Sequence, residues 1–190
     1  VFGKSPEEAR GTVAFIPQRE SVNWRFPVTA RDVVMLGRVR GAGWLRRTGR
    51  RDRARARECL ERVGMWERRS SMMAELSGGQ RERVFVARAL AQEADLLLLD
   101  EAFSGVDVAS QEELVGILHG LRDEGKTILM VTHDLTGLAR RMDAVLCLNG
   151  HVCAYGPPAE AFTPAALEEL YGAHGAIVAG GGEGERGRPD

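Results

Sequence analysis

Short apolar runs alternate with longer amphipathic segments along most of the chain. The apolar runs have the length of strands, and the longer segments repeat their apolar positions every three or four residues, as helices do. Strands are predicted at 11–17, 95–100, 127–132, 144–148 and 151–155. Helices are predicted near 30–37, 51–63, 77–91, 108–124, 135–142 and 164–171. Strands that alternate with helices predict an α/β fold with a mainly parallel sheet.

Apolar side chains fill the predicted strands almost continuously, instead of occupying every second position. Residues 96–99 are four consecutive leucines, and residues 128–131 are also apolar throughout. This pattern is typical of a parallel sheet that is covered on both faces. The last two strands differ, because the dipeptide Asn149-Gly150 between them is typical of a tight hairpin turn.

Composition narrows the class of protein. The 190 residues carry a net charge of −1, which gives no general attraction to nucleic acids or anionic membranes. No apolar stretch approaches the ~20 residues that cross a bilayer, so a role at a membrane requires a partner. The cysteines lack the paired spacing of a zinc site and are expected to be reduced thiols; they are Cys59, Cys147 and Cys153.

A Ser-Gly-Gly turn, within the sequence LSGGQ at 76–80, opens the predicted helix 77–91. Its serine is a typical N-cap, and glycines let backbone N–H groups approach a phosphate without interference from a Cβ atom. The positive end of the helix dipole also favours an anion there. An ordinary serine-capped helix is the alternative, but two glycines in a cap are costly without a ligand. The candidate phosphate-binding residues are Ser77, Gly78, Gly79 and Gln80.

Two carboxylates end the leucine-rich strand. Asp100 and Glu101 follow residues 96–99 at the carboxyl edge of the predicted parallel sheet, where such folds bind ligands. Nucleotide hydrolases use carboxylates in this position to hold Mg²⁺ and a catalytic water, since Mg²⁺ prefers oxygen ligands. The alternative is a strand that merely ends in an acidic loop, and the neighbouring Ser-Gly-Gly turn makes that alternative less favourable.

The order and spacing of these two motifs resemble those of the ATP-binding subunits of ABC transporters, from about residue 11 to residue 172. The resemblance implies a P-loop NTPase fold with an inserted helical subdomain. It implies ATP, bound with Mg²⁺ between the phosphate loop of one subunit and the Ser-Gly-Gly turn of another. It further implies that Asp100 holds Mg²⁺ and that Glu101 is the general base for the attacking water.

Three more positions match this family in the same order along the chain. Gln18, after the first predicted strand, resembles the glutamine that reaches Mg²⁺ and water from a loop that faces the membrane subunits. Asp107 resembles the aspartate that crosses the dimer interface, and His133 resembles the histidine that contacts the γ-phosphate. Each position is a weak signal by itself, but the ordered series is specific.

Several stretches resemble the manganese, zinc and iron uptake branch of the family; they are 16–19, 24–29, 32–34 and 43–47. The resemblance implies as partners a second ATP-binding subunit, identical or different, integral membrane permease subunits and, indirectly, an extracytoplasmic metal-binding protein. It implies a place in the cytoplasm at the inner face of the cell membrane, with no nucleic acid as partner. The residues of the ATPase indicate neither the metal nor the direction of transport.

The resemblance also divides the chain into four segments. Residues 1–18 are the end of an N-terminal core part, and 19–76 form the helical signature subdomain. Residues 77–172 contain the signature helix and the C-terminal core part. The remaining 173–190 are expected to be a disordered tail, because they are rich in glycine and charge.

The chain departs from the family pattern at three places. The tripeptide GKS at 3–5 imitates the end of a phosphate loop, but no GxxxxGK[ST] motif contains it and a proline follows. The phosphate loop is therefore expected upstream of the first residue, and the chain alone is expected to have negligible ATPase activity. Ala102 stands where the family has proline, which should loosen the turn slightly. The charged residues 81–83 replace a more glutamine-rich stretch and are expected to be exposed.

Other interpretations stay open at this stage. Nine arginines in 38–57 suggest a nucleic-acid surface, but no aromatic platform accompanies them, so a solvated helical face is preferred. Trp24 and Phe26 fit either a core or a groove for a membrane subunit. Chromosome-organising and repair ATPases share the signature but insert long coiled coils, which 19–76 lacks. A soluble translation factor would carry two cassettes, and a degenerate subunit would only donate its signature turn to a partner.

Overall fold

The computed structural model describes residues 3, 5, 9, 11–18, 26–39, 48–133, 137 and 139–171. Within them the chain forms two compact units, which divide between Thr132 and His133. In the described part of the chain, three parallel strands and four helices build the first unit. An antiparallel hairpin and short helices build the second unit.

A three-stranded parallel sheet forms the centre of the first unit. Its strands, in spatial order, are β1 (Val13–Ile16), β2 (Leu96–Asp100) and β3 (Thr127–Val131). Leu99 pairs with Ile16 on one side and with Met130 on the other, so the three strands end at one edge. Each strand lies inside the range predicted for it. The parallel pairing and the alternation with helices confirm the α/β fold predicted from the sequence.

Four helices accompany this sheet: α1 (Ala30–Leu36), α2 (Arg50–Arg62), α3 (Gly78–Ala91) and α4 (Val108–Asp123). Their ends agree with the predicted ranges to within one residue, because capping residues and apolar periodicity mark both. Helix α3 is central, since it contacts α1, α2, α4 and strand β1. Val84, Val86 and Ala87 of this helix are fully buried.

Helix α1 approaches α3 closely at Gly37, the residue that follows α1. A Cβ atom on Gly37 would lie 2.4 Å from the carbonyl oxygen of Arg88 and 3.2 Å from the backbone nitrogen of Gln92. Both of these atoms belong to the backbone of α3 and its end, so they cannot move aside as a flexible side chain would. The absence of a side chain at Gly37 therefore allows the two helices to pack at this distance.

One face of the sheet is less covered than the sequence predicts. Leu97 and Leu99, which point to the face that α3 and α4 cover, are buried. On the opposite face, the side chains of Phe15, Leu129 and Val131 are 51%, 56% and 57% exposed. The prediction of a sheet covered on both faces therefore does not hold within the described residues. Apolar runs indicate how apolar each strand is, but they do not indicate which elements pack against it.

The charged residues 81–83 also differ from expectation. Glu82 is 1% exposed, and Arg81 and Arg83 are partly buried. Helices and the sheet contact α3 from several directions, so few of its positions reach solvent. Ala102, in the turn after β2, is buried as well.

Three arginines of the 38–57 stretch, Arg38, Arg55 and Arg57, form ion pairs with nearby carboxylates. Arg38 Nε lies 3.3 Å from Asp52 Oδ1, and Arg57 Nε lies 2.8 Å from Glu61 Oε1. Residues 40–47 lie outside the described part of the chain. Arginines that are paired along a helix match the solvated helical face that the sequence favoured over a nucleic-acid surface.

The length of the helices and the exposure of Phe26 bear on a possible role at a membrane. No helix among the described residues is both long and apolar enough to span a bilayer. Phe26 is 67% exposed, so a core position, one of the two interpretations left open by the sequence, does not hold for it. Trp24, for which the same two interpretations were open, lies outside the described residues.

The second unit contains an antiparallel hairpin of β4 (Val145–Leu148) and β5 (Val152–Gly156). The strands are joined at the predicted Asn149-Gly150 turn, where Gly150 has a φ of +72° that favours glycine. Helices α5 (Pro158–Ala161) and α6 (Pro164–Tyr171) follow, and both contact the hairpin. The range predicted for α6 agrees with the structure, whereas the short helix α5 was not predicted.

Two predictions on the second half of the chain, and the division of the whole chain into segments, fall partly or wholly outside the described residues. Within the predicted helix 135–142, the described residues form a 3₁₀ turn at Ala139–Arg141. The tail 173–190 lies outside the described residues. The division of the chain into four segments stays a prediction.

We expect Gly37→Ala to destabilise the protein by about 1–3 kcal/mol, because the new Cβ atom forces α1 and α3 apart. The matched control is Gly116→Ala in α4, where no atom lies within 4 Å of the new Cβ. That substitution should stabilise the protein by about 0.5–1 kcal/mol, since alanine loses less conformational freedom than glycine in a helix. Urea unfolding monitored by circular dichroism measures both, and equal effects would contradict the close approach at Gly37.

Candidate functional site

The carboxyl edge of the parallel sheet brings together Gln18, Asp100 and Glu101. Gln18 follows strand β1 by two residues, Asp100 ends β2, and Glu101 comes next. Because β1 and β2 are parallel neighbours, their ends lie side by side. Gln18 Nε2 donates a hydrogen bond to Glu101 Oε2 at 3.0 Å, across 83 positions of sequence. Gln18 and Glu101, which the sequence predicted from two separate motifs, are therefore in direct contact in the structure.

Glu101 adopts a backbone conformation that non-glycine residues rarely use. Its φ is +46°, in the left-handed region, which costs on the order of 1–3 kcal/mol for a residue with a Cβ atom. Two backbone hydrogen bonds hold it there: the N–H of Glu101 donates to Val131 O, and the N–H of Ser104 donates to Glu101 O, each at 3.0 Å. This turn directs the Glu101 carboxylate toward Gln18, away from the direction in which β2 would continue.

The Ser-Gly-Gly turn is the N-terminus of α3, as the sequence predicts. Ser77 is the N-cap, and its hydroxyl accepts a hydrogen bond from the N–H of Gln80 at 3.3 Å. In return, Gln80 Oε1 accepts a hydrogen bond from the N–H of Ser77 at 3.0 Å, which completes a capping box. The Gln80 side chain, predicted to bind the ligand, is thus used to fix the turn in this structure. Arg81 holds the preceding loop through the carbonyls of Met73 and Ala74.

Gly79 has a packing role that the sequence did not reveal. A Cβ atom there would lie 2.4 Å from Ser110 Cβ, 2.8 Å from Ser110 Oγ and 3.3 Å from Val106 Cγ1. The start of α3 therefore touches the first turn of α4, and the contact leaves no room for a side chain. The sequence explained this glycine by the approach of a phosphate, and the structure adds a second reason within the protein itself.

Asp107 is the N-cap of α4. Its Oδ1 accepts a hydrogen bond from the N–H of Ser110 at 2.9 Å, which lowers the pKa of the Asp107 carboxyl below its usual value. Asp107 is exposed. Ser110 also contacts Gly79, so it links Asp107 to the Ser-Gly-Gly turn. Its predicted role across a dimer interface stays a prediction.

His133 begins the second unit, directly after the end of β3 and Thr132. Its side chain is exposed. The carboxyl-edge residues Gln18, Asp100 and Glu101 belong to the first unit. The predicted contact of His133 with a γ-phosphate therefore stays a prediction.

Arg88 and Gln92 fasten α3 to β1, and the sequence reasoning missed both. Arg88 Nη2 donates to the carbonyl of Phe15 at 2.5 Å, and Gln92 Nε2 donates to the carbonyl of Val13 at 2.6 Å. Burial lowers the pKa of Arg88, as expected for a guanidinium removed from water. These bonds fix the strand that leads to Gln18 relative to the helix that begins at Ser77. A polar residue in an amphipathic helix normally indicates a solvent-facing position, so no sequence signal pointed to this contact.

The described residues fit the ligands that the sequence suggested. Asp100, Glu101 and Gln18 offer carboxylate and amide oxygens at one edge, which is the donor set that Mg²⁺ prefers. The N-terminus of α3 is capped by a neutral serine, and a helix of this length presents a positive dipole end that suits a phosphate. Together these features define a nucleotide-binding α/β protein.

Comparison with known proteins identifies the family. The ABC transporter family matches residues 2–104. The manganese transport system ATP-binding protein MntB of Halalkalibacterium halodurans is 46% identical over 171 residues, which are 90% of this chain and 68% of that protein. The zinc transport system ATP-binding protein TroB of Treponema pallidum is 47% identical over 172 residues, 90% of this chain and 65% of that protein. The chain belongs to the ABC transporter family.

A solved structure agrees with this assignment. The chain is similar to an inward-facing structure of a metal-chelate type ABC transporter, with a TM-score of 0.76 and 25% sequence identity. The similarity covers 84% of this chain and 64% of that chain. The chain thus spans about two thirds of the length of these relatives. The P-loop NTPase fold of the ABC type, implied by the sequence motifs, is confirmed.

We expect Gly79→Ala to destabilise the protein by about 1–3 kcal/mol, because the new methyl group overlaps Ser110. In the double variant, Ser110→Gly should restore much of the lost stability, because it removes the side chain that the new methyl group overlaps. The backbone N–H of residue 110 remains and still donates its hydrogen bond to Asp107. Urea unfolding of the two single variants and the double variant measures the coupling. Strictly additive effects would contradict the contact between Gly79 and Ser110.

Proposed function

We propose that this chain is the ATP-binding and ATP-hydrolysing subunit of a membrane transporter for manganese, zinc or iron ions. The contact between Gln18 and Glu101 beside Asp100 is the observation that carries the ATPase part, because it joins two motifs at the ligand-binding edge of the sheet. The metal part rests on the relatives, which are named as manganese and zinc transport proteins. Import is the direction that the resemblance to the uptake branch favours.

In this proposal the residues of the carboxyl edge activate the attacking water and hold Mg²⁺. Glu101 accepts the proton of the attacking water, and Gln18 orients the Glu101 carboxylate through the hydrogen bond between them. Asp100 and Gln18 provide oxygen ligands for Mg²⁺, which polarises phosphate oxygens when it is bound. The family resemblance supports a contact of His133 with the γ-phosphate. The left-handed backbone of Glu101 supports this assignment, since strained conformations are frequent at catalytic positions.

The Ser-Gly-Gly turn serves the partner subunit in this proposal. Ser77, Gly78 and Gly79 bind the phosphates of ATP that the phosphate loop of a second ATP-binding subunit holds, and Asp107 lies at the same interface. The capped N-terminus of α3 supports the anion-binding role. Closure of the two subunits around ATP would drive integral membrane permease subunits between two states. An extracytoplasmic metal-binding protein is an indirect partner, and the ATPase acts at the cytoplasmic face of the membrane.

Within these 190 residues the pattern GxxxxGK[ST] occurs at 120–127, but there it leads from helix α4 into strand β3, the reverse of the strand-to-helix order of a phosphate loop. We propose that a polypeptide limited to these residues has negligible ATPase activity by itself, because two copies of it would offer two Ser-Gly-Gly turns and no phosphate loop. Mixed with an intact partner, it would complete one site by supplying Ser77, Gly78 and Gly79. Such a polypeptide would therefore act as the signature-donating subunit that the sequence left as an alternative.

We expect Glu101→Gln, in the natural protein within its transporter complex, to reduce ATP hydrolysis by about 10²–10⁴-fold while ATP binding is kept. The glutamine oxygen still accepts the hydrogen bond from Gln18, so the fold should be unchanged. The control is Glu61→Gln on the exposed surface of α2, which should leave the rate unchanged. Phosphate release measures the rates, and hydrolysis by Glu101→Gln within a few-fold of wild type would refute the role of Glu101.

A pair of substitutions at Ser77 separates its capping role from its proposed ligand role. Ser77→Asp keeps a good N-cap, so stability should change by less than about 0.5 kcal/mol, but its negative charge repels phosphate. In the natural protein, ATP-dependent dimerisation should weaken at least about tenfold. Ser77→Ala should cost about 1 kcal/mol of stability through the lost cap.

Thermal unfolding and analytical ultracentrifugation with a non-hydrolysable ATP analogue measure the two effects of the Ser77 variants. Dimerisation of Ser77→Asp with wild-type affinity would refute the phosphate-binding role of the turn. That result would not affect the capping role of Ser77, which is tested separately by the stability of Ser77→Ala.

A further inference from the structure

Three side chains with metal-binding atoms meet in the second unit. They are His151, at the end of the hairpin turn, Cys153 in β5, and Glu169 in α6. One ligand atom from each residue, namely an imidazole nitrogen, the thiol sulfur and a carboxylate oxygen, lies within 4.8 Å of the other two. None of the three belongs to the carboxyl-edge or Ser-Gly-Gly residues of the first unit.

The backbone brings these side chains together in two ways. His151 directly precedes β5 and Cys153 is the second residue of that strand, and their ligand atoms lie within 4.8 Å of each other. Helix α6 contacts the hairpin and supplies Glu169 from 16 positions beyond Cys153 (169 − 153). Asn149 Nδ2 donates to the carbonyl of Glu169 at 2.8 Å, which fixes the helix backbone against the turn. The cluster is thus held by the fold of the unit.

Contacts within the cluster already join its members. His151 Nε2 lies 2.6 Å from Glu169 Oε1, a hydrogen bond or ion pair, and Cys153 Sγ lies 3.8 Å from the carbonyl oxygen of His151. His151 and Glu169 are exposed, and Cys153 is partly buried. The three ligand atoms can therefore be reached from solvent.

We propose that His151, Cys153 and Glu169 form a binding site for a divalent transition-metal ion of the zinc class. Zinc takes imidazole, thiolate and carboxylate ligands at about 2.0–2.3 Å, which places tetrahedral ligand atoms about 3.3–3.8 Å apart. The atoms of the cluster need shifts of roughly 1 Å to reach this spacing, and exposed side chains can make them. Water occupies the fourth position, which faces solvent.

The ligand set also determines which ion it selects. A thiolate and an imidazole favour Zn²⁺ or Co²⁺, whereas Mg²⁺ and Mn²⁺ favour oxygen ligands. Binding releases the thiol proton of Cys153 to solvent, since the thiolate is the ligand. A metal-bound imidazole carries its single proton on the other ring nitrogen, so Nε2 of His151 would exchange its contact with Glu169 for the metal. The ion thereby joins the hairpin to α6.

The remaining cysteines are poorer ligands. Burial raises the pKa of the Cys59 thiol in α2, and burial also raises the pKa of the Cys147 thiol in β4. Both side chains are buried, so forming a thiolate at either position is unfavourable. Cys153 is therefore the cysteine through which a solvent-borne metal ion is bound.

Titration of the whole protein with Co²⁺, in the absence of ATP and Mg²⁺, tests the site. We expect about one Co²⁺ per chain, a thiolate-to-cobalt charge-transfer absorption, and loss of this absorption when Zn²⁺ is added. Mn²⁺ at the same concentration should not displace Co²⁺. Cys153→Ser should remove the charge-transfer absorption, and His151→Gln and Glu169→Gln should each weaken binding at least about tenfold.

Cys147→Ala is the matched control, because it removes a cysteine from the same hairpin and keeps all three ligands. It should retain the cobalt absorption, and circular dichroism verifies that each variant is folded. Absence of the absorption in wild type, or its persistence in folded Cys153→Ser, would overturn the proposal. The readout is independent of ATP hydrolysis, so it is unaffected by the outcome for Glu101.

Discussion

The position of helix α3 is the constraint on which the rest of the first unit depends. The helix starts at the Ser77 cap and runs between the other helices and the sheet. Arg88 of this helix and Gln92, the residue that follows it, donate to the carbonyls of β1, which orients the strand that leads to Gln18. Its close contact at Gly79 fixes the start of α4, and hence the region around Asp107. Both groups of candidate functional residues are therefore set by one helix.

Parallel pairing determines the other half of the site. Neighbouring parallel strands end at the same edge, so residues distant in sequence meet there without any local motif that joins them. Gln18 and Glu101 are one such pair. The turn after β2 adds a specific direction, since the left-handed backbone of Glu101 and its bond to Val131 orient the carboxylate. Stable pairing of β2 with β3 offsets the strain, which explains how an unfavourable conformation persists.

The sequence predicts the first unit's strands and helices to within a residue or two because each is specified locally. Apolar runs and the Ser77 cap depend on interactions over a few positions, which the local sequence shows. Close approaches between helices cannot be predicted from the local sequence in this way. The overlap of Gly79 with Ser110 depends on the distance between two helices, which no local pattern records. Burial of Glu82 escaped prediction for the same reason, since it depends on what surrounds α3.

Of the two candidate metal sites, only the one at the carboxyl edge could be predicted from the sequence, because its carboxylates are adjacent in the chain. The carboxylates Asp100 and Glu101 are adjacent in sequence, so a hard-ion site with Asp100 as a ligand can be predicted from a strand that ends in carboxylates. His151 and Cys153 lie close together, but the third ligand, Glu169, arrives only because α6 packs on the hairpin. Cysteine spacing alone therefore argued against a zinc site in this chain. The two ligand sets would also separate their ions by chemistry, since thiolate and imidazole disfavour the Mg²⁺ that carboxylates attract. One chain can in this way present a site for the ion that accompanies ATP and a distinct site for a softer transition metal, without either ion competing for the other's ligands.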